Sequence, residues 1–360
     1  MEPYLWLDSV QVRHKTRAEV SVQGTTSCHE EAYRVKAVRI HEYGGPEVLR
    51  HEDVDTPSPG PGEVRLKVHA CALNHVDVDI RDGVSRFPIE FPLTLGLEMV
   101  GSIDAVGEGV EGWSQGDRAM PYLLGGSVFL GVAGPGGFAD YVICPPEQLV
   151  AVPEGLSDVD AAAVQVAFGT AWHMLFTRGG LRIGDTVLIN SVSAGIGSAA
   201  VQLAKLAGAT VIGTSSSAEK LDEARASGMD HGIDYTQQDI TAEVMRITGD
   251  QGVDVVFEHV GGELFQKALA SIKPVTGRVV TCGAHAQEVV PFDIIPFFRA
   301  QWTIIGSFVY TREELEKVLD FAGRGLITPK VAATYPLADA RAAMEKMESR
   351  DFFGKLVLQP

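Results

Sequence analysis

Long hydrophobic runs are absent from this chain of 360 residues: no segment approaches the roughly 20 consecutive apolar residues that a membrane-spanning helix requires. Cysteine is scarce too. Cys28, Cys71, Cys144 and Cys282 are scattered with no C-x-x-C pair, which argues against a disulfide framework and a cysteine zinc cluster and points to a reducing cytoplasm. Positive charge is in deficit, since 30 Lys and Arg against 47 Asp and Glu leave a net charge of −17. Phosphate backbones and anionic bilayers need a basic face, so neither nucleic acid nor membrane is an expected partner; one anionic cofactor needs only a local positive site. What remains, 45% hydrophobic and 21% charged residues, is the composition of a globular enzyme long enough for two cores.

The first 34 residues mix charges without period, contain no apolar stretch for a secretory signal, and are too acidic for a transit peptide. They are expected to form a mobile, dispensable arm. From Val35 to about Val152, short alternating runs such as Glu63–His69 are cut by Gly and Pro turns such as Pro57–Gly62, which predicts a small β-barrel-like domain. After Pro153 the texture changes. Helices are predicted over Asp158–Val164 and Phe168–Thr177, and strands at Val253–Phe257, Gly277–Cys282 and Trp302–Gly306 then alternate with helical patterns, which implies a parallel sheet. Helices follow at Glu313–Ala322 and Asp339–Met347, and Gly354–Leu358 reads as a strand returning to the first domain.

The stretch Thr186–Gly213 organises this second half. An apolar β-branched run leads into a turn of small residues, Ser191 to Gly197, then a helix with apolar Ala200, Leu203, Ala204 and Ala207, closed by Gly208 before another strand. Such a strand–turn–helix–strand unit holds a pyrophosphate on the free N–H groups of the helix N-terminus. Gly195, Ile196 and Gly197 allow close backbone approach, and Ser191 and Ala194 are small where the general fingerprint has glycine. An NAD-binding chain places Asp or Glu roughly 20 residues beyond the turn, on the ribose hydroxyls. Here Ser215 stands there and Lys220 adds a positive charge, which favours NADPH; Glu219 keeps NADH as the second choice.

Lys36-Ala-Val, Ala72–Asp77, Arg81–Gly83, Gly116–Arg118, Gly137–Tyr141, Thr170–Trp172, Ser191–Gly197 and Gly354-Lys355 occur in an order that resembles the medium-chain dehydrogenase/reductase superfamily, and within it the zinc-free, zeta-crystallin-like quinone oxidoreductases. The resemblance implies an α/β protein: a GroES-like β-barrel catalytic domain (35–156 and 301–360) with an inserted Rossmann domain, a doubly wound parallel sheet (157–300), and a cleft between them. Zinc alcohol dehydrogenases of the superfamily carry metal ligands at positions that fall here on Asn74, Leu97 and Val166, of which the last two have no donor atom, and a Gly-rich stretch, Leu123–Gly137, replaces the lobe for structural zinc. No zinc is expected; nearby His75, Asp77, Asp79 and Glu98 read as a hydrogen-bonded wall rather than a metal cage.

The resemblance also assigns roles. Asn74 is expected to donate its amide to a substrate oxygen and Asp77 to orient neighbours or water, with helix capping as the alternative for both. Asp79 stands where quinone reductases often carry a tyrosine, and Tyr122 is a substitute from the opposite wall. Thr170 matches a nicotinamide-side threonine and Tyr235 a residue beside the adenosine phosphate. His259, Val260, Gly261 and Gly283 fall at strand ends near the nicotinamide ribose, while Ser307, Phe308 and Lys355 approach from the returning segment. The implied protein is an NADPH-dependent, zinc-independent, homodimeric reductase of a quinone or α,β-unsaturated carbonyl compound. An enoyl-thioester reductase, an alcohol dehydrogenase and a catalytically idle NADPH-binding protein are the alternatives.

Overall fold

The computed structural model describes residues 34–125 and 129–360, so the arm expected over residues 1–34 lies outside the described residues except for Arg34. The first half is built of β1 (Arg34–Ile40), β2 (Arg50–Asp55), β3 (Val64–Ala72), α1 (His75–Asp82), β4 (Leu93–Thr94), β5 (Glu98–Val106), β6 (Arg118–Pro121), β7 (Tyr141–Cys144) and β8 (Leu149–Ala151). β1 pairs antiparallel with β2 and β4, while β3, β5, β6 and β8 form most of a larger sheet with β7 on β3. β3 alternates strictly at its start, with Val64, Leu66 and Val68 buried, and then goes under on both faces at Ala70–Ala72, where the chain enters the cleft.

One helix, α2 (Asp158–Trp172), covers what the sequence pattern divides into two. Ser157 caps it, and every position from Ala161 to Ala171 except Val166 is buried. A helix that is apolar all round belongs between layers, and α2 packs against β3 and β5 on one side. Gln165 does not interrupt it, because its Nε2 donates to the Pro121 carbonyl at 2.5 Å. Gly169 does not either; its missing side chain makes room for the Tyr310 ring, which a Cβ would meet at 2.7 Å. The helix widens into a π-helical turn over His173–Arg178.

The second half alternates as expected: β9 (Thr186–Ile189), α3 (Gly195–Leu206), β10 (Thr210–Ser215), α4 (Ala218–Ala226), β11 (His231–Asp234), α5 (Ile240–Thr248), β12 (Val255–Glu258), α6 (Gly262–Ala270), β13 (Arg278–Thr281), α7 (Ile294–Ala300) and β14 (Thr303–Gly306). The sheet order β11-β10-β9-β12-β13-β14 is fully parallel and reverses direction at β9, the arrangement that opens a ligand crevice at the carboxyl ends of β9 and β12. β14, past the boundary expected at residue 300, is the sixth strand of this sheet. The chain then returns through α8 (Arg312–Gly323), β15 (Val331–Pro336), α9 (Ala340–Ser349) and β16 (Lys355–Gln359), and β16 pairs antiparallel with β3. α3 and α8 both pack on α2. The expected α/β architecture, an open parallel sheet beside a mostly antiparallel β domain, is therefore present.

Candidate active site

The turn after β9 is built to leave donors free. Ser191 adopts a left-handed backbone at φ 55°, and its N–H donates to the Thr214 hydroxyl at 3.1 Å. Gly197 lies against the same turn, where a Cβ would come within 2.2 Å of the Ser191 carbonyl oxygen. α3 begins at Gly195 with Ala194 at its cap position, and no side chain caps it. Its first-turn N–H groups thus point, with the positive end of the helix dipole, into a cleft of about 670 Å³. A dinucleotide pyrophosphate fits this cradle by charge and by the tightness of the turn.

Lining the same cleft are Asn74, Thr170, Ser191, Ala194, Gly195, Ile196, His259, Val260, Gly283, Phe308 and Lys355 from the expected set. His259 is buried, its Nε2 2.9 Å from the Asn190 carbonyl oxygen, and burial pushes its pKa down to about 4. The others stand apart. Gly197, Gly261 and Ser307 lie behind the lining; the Gly261 N–H donates to the Glu258 carboxylate at 3.0 Å and the Ser307 N–H to the Thr281 carbonyl at 2.9 Å. Ser215, Lys220 and Tyr235 gather further along: Tyr235 N–H donates to the Ser215 carbonyl at 3.1 Å, the buried Ser215 hydroxyl has no protein partner, and Lys220 Nζ donates to the Arg350 carbonyl at 2.7 Å.

The opposite wall revises the catalytic assignments. Asn74 does reach the cleft, but its Nδ2 donates to Glu98 Oε2 at 3.0 Å and to the Ala72 carbonyl at 3.3 Å, so no amide proton is left for a substrate. Lys355, expected on the cofactor, instead donates from Nζ to the Leu73 carbonyl at 2.6 Å and to Asn74 Oδ1 at 2.7 Å, and pairs with Glu98 Oε2 at 2.8 Å. An ammonium has three donors, and these three acceptors use them all. The other Glu98 oxygen accepts the Val166 N–H at 2.7 Å. Asp77 lies fully buried behind the wall in the capping box of α1, whose cap residue is Asn74: its carboxyl accepts the Asn74 N–H at 2.7 Å and the Gly96 N–H at 3.2 Å, while burial pushes its pKa up to about 7. The helix-capping alternative describes Asp77. Tyr122 is no substitute for the missing tyrosine, because its hydroxyl donates to the Tyr310 carbonyl at 2.8 Å.

The positions that would hold zinc carry no ligand set. The three positions that carry ligands in the zinc enzymes are Asn74, committed to its neighbours, and Leu97 and Val166, whose apolar side chains line the cleft. The Lys355 ammonium already supplies positive charge beside Asn74 and Glu98. Among the described residues no group of three or more His, Cys, Asp or Glu is placed to hold a metal ion.

Sequence reasoning missed Ser193, His285 and Arg350, all on the cleft lining. Ser193 lies within the turn Ser191–Gly197, and His285 and Arg350 sit in no motif; the Gly354 N–H bonded to the Ser193 carbonyl at 2.8 Å shows how the returning strand docks on the turn, a contact that only the fold creates.

Fold and site together define a nucleotide-dependent oxidoreductase. Residues 60–154 match the alcohol dehydrogenase GroES-like domain, and residues 195–324 match the zinc-binding dehydrogenase family. The 2-haloacrylate reductase of Burkholderia sp is 33% identical over 344 residues, covering 91% of this chain and 99% of the relative. A quinone oxidoreductase of Rattus norvegicus is 31% identical over 336 residues, covering 90% of this chain and 97% of the relative. A solved NAD-dependent alcohol dehydrogenase superposes with a TM-score of 0.83 at 36% identity, over 90% of this chain and 99% of that one. The chain belongs to the medium-chain dehydrogenase/reductase superfamily, in the zeta-crystallin-like quinone oxidoreductase group. Oxidoreductases of this superfamily work with nicotinamide cofactors. No helix among the described residues is long and apolar enough to cross a membrane.

Proposed function

We propose that this protein is an NADPH-dependent, zinc-independent reductase of quinones or α,β-unsaturated carbonyl compounds. The observation that carries the reading is the contrast within the cleft: an uncapped helix N-terminus on one side, and on the other the metal positions filled by Leu97, Val166 and an Asn74 already bound to Lys355 and Glu98. The turn Ser191–Gly197 would hold the pyrophosphate, and Thr170, His259 and Gly283 the nicotinamide end; when bound, the cofactor supplies hydride. Without a Lewis acid the protein works by positioning and by excluding water. Leu73, Val76, Leu97, Phe129, Val166 and Phe352 give the cleft apolar walls suited to a flat, uncharged conjugated substrate.

NADPH is supported by Ser215, which lacks the charge that repels a 2′-phosphate, and by the ammonium of Lys220 nearby. Lys220→Ala is expected to weaken NADPH about 10-fold, the scale of one exposed charge-assisted contact, and NADH less than 2-fold. Fluorescence titration with both nucleotides measures this, and equal losses place the phosphate elsewhere. A homodimer is supported by the exposed Ile294, Ile295 and Phe298 on α7 beside edge strand β14; light scattering on the purified chain tests it. The acidic chain, at −17, offers nucleic acid little attraction. The activity itself is tested by NADPH oxidation with a panel of quinones, enones, enoyl thioesters and aldehydes, where the first two should be reduced and the aldehydes should not.

A further inference from the structure

Hydride transfer to a conjugated carbonyl leaves an oxyanion that must take up a proton, and the cleft contains few groups able to give one. Asn74 has no free amide proton, Asp77 lies buried behind the wall, and the Tyr122 hydroxyl is bound to Tyr310. Cys282 is inert at neutral pH, since burial pushes its thiol up to about 12. Two of the cleft histidines are neutral there. Burial pushes His75 down to about 3 and His259 down to about 4.

His285 is placed differently. It stands on the loop between β13 and α7, one-third exposed, with its Nδ1 3.5 Å from Asp79 Oδ2 on α1. Its ring lies 4.9 Å from that of His75, tilted by 36°, so a neutral imidazole forms the platform beneath it. Nε2 is on the other side of the ring beside Gly283, where a Cβ would stand 3.5 Å away, and it has no hydrogen-bond partner among the described residues. Gly283, His259, Asp79 and His285 all line the cleft. A carboxylate 3.5 Å from Nδ1 and an unpartnered Nε2 beside Gly283, on the cleft lining, are the relation that lets a histidine move a proton: such a carboxylate favours the Nδ1–H tautomer and stabilises the imidazolium.

We propose that His285 is the proton donor of the reduction, with Asp79 as its positioning residue, and that this pair replaces the tyrosine expected at the position of Asp79. The inference rests on the reductase reading. As hydride forms a new C–H bond at the electrophilic carbon, the conjugated π pair moves to the substrate oxygen. That oxygen takes the Nε2 proton; the N–H electron pair stays on the ring, and the neutral imidazole keeps Nδ1–H toward Asp79. Solvent restores the imidazolium. The other charged or titratable groups around the ring are His75, His259, Arg350 and Lys355, with the Arg86–Glu288 ion pair at the loop.

The test uses the full chain. In the cofactor-free protein labelled at histidine nitrogens, NMR should find neutral His285 protonated at Nδ1, and at Nε2 in Asp79→Ala. With NADPH and a reducible enone, His285→Gln should lower kcat about 100-fold, within the usual range for a lost general acid, with nucleotide affinity unchanged within 2-fold. Asp79→Ala should lower kcat about 10-fold and displace the alkaline limb of the pH profile, which a merely structural residue would not move. The proposal is overturned if His285→Gln, folded by its thermal melt, turns over within 2-fold of wild type, or if the Nδ1 tautomer is absent from wild type. Wild-type failure on every quinone and enone, with the tautomer present, rejects the reductase reading and the proton's role with it, and so separates the two failures.

Discussion

The two walls of the cleft treat their polar groups in opposite ways. On the wall formed by β9 and α3, donors are left open: no side chain caps α3, and its first residues, Gly195 and Ile196, line the cleft. On the wall formed by β3, α1, β5 and β16, donors and acceptors close on one another, with half-buried Asn74 and buried Glu98 and Lys355 bonded into a single group. Burying polar atoms without partners costs free energy, so a protein leaves them open only where something else completes them. The open wall keeps groups that an anionic ligand could complete, and the closed wall spends its polar groups on itself. His285, on the β13–α7 loop, meets the closed wall through Asp79 on α1 and keeps its Nε2 beside Gly283 on the cleft lining.

Breaking the closed wall should have the largest effect. Lys355→Met leaves Glu98, 0% exposed, without its cation, and removing one partner of a buried pair costs about 3–5 kcal/mol. Urea unfolding measures this, and a loss below about 1 kcal/mol would mean that the network is not structural. Next comes Asp77. Its folded pKa of about 7 lies above its ordinary 3.8, so the folded chain keeps a proton that the unfolded chain has released. Its contribution to stability is present below pH about 4 and is lost as pH rises through about 7. Asp77→Asn removes this term, so its destabilisation relative to wild type should shrink by ~2.5 kcal/mol between pH 5 and pH 8, since each pKa unit is worth about 1.4 kcal/mol. Paired denaturation curves at the two pH values decide it.

The smallest expected change sharpens the comparison most. Ala194→Asp supplies the cap that α3 lacks, which should stabilise the protein by about 1 kcal/mol. The same carboxylate takes the N–H groups meant for the pyrophosphate and repels it, so nucleotide affinity should fall at least ~10-fold. Opposite signs for stability and binding are the signature of a site kept open; a variant that improves both would show that the turn holds no anion.

Much of this was legible in the sequence because it is local. The strand–turn–helix run Thr186–Leu206 carries its own periodicity and small residues, and the structure returns it with β9 and α3 in place. The unbroken α2 was not legible, since the pattern lapses at Gln165, whose side chain is satisfied only once the Pro121 carbonyl is brought against it. The closed wall was misread for the same reason. Asn74 looked available because its partner Lys355 lies 281 positions away, and only the pairing of β16 with β3 brings them together. His285 carries no motif, and its meaning comes from Asp79 and Gly283 standing on either side of its ring.

The most direct test of the central claim is the rate of NADPH oxidation by the purified, chelator-dialysed chain with a quinone or enone as acceptor. The account predicts steady turnover that added zinc does not increase. Turnover that appears only on adding zinc, in proportion to the metal bound, would contradict it.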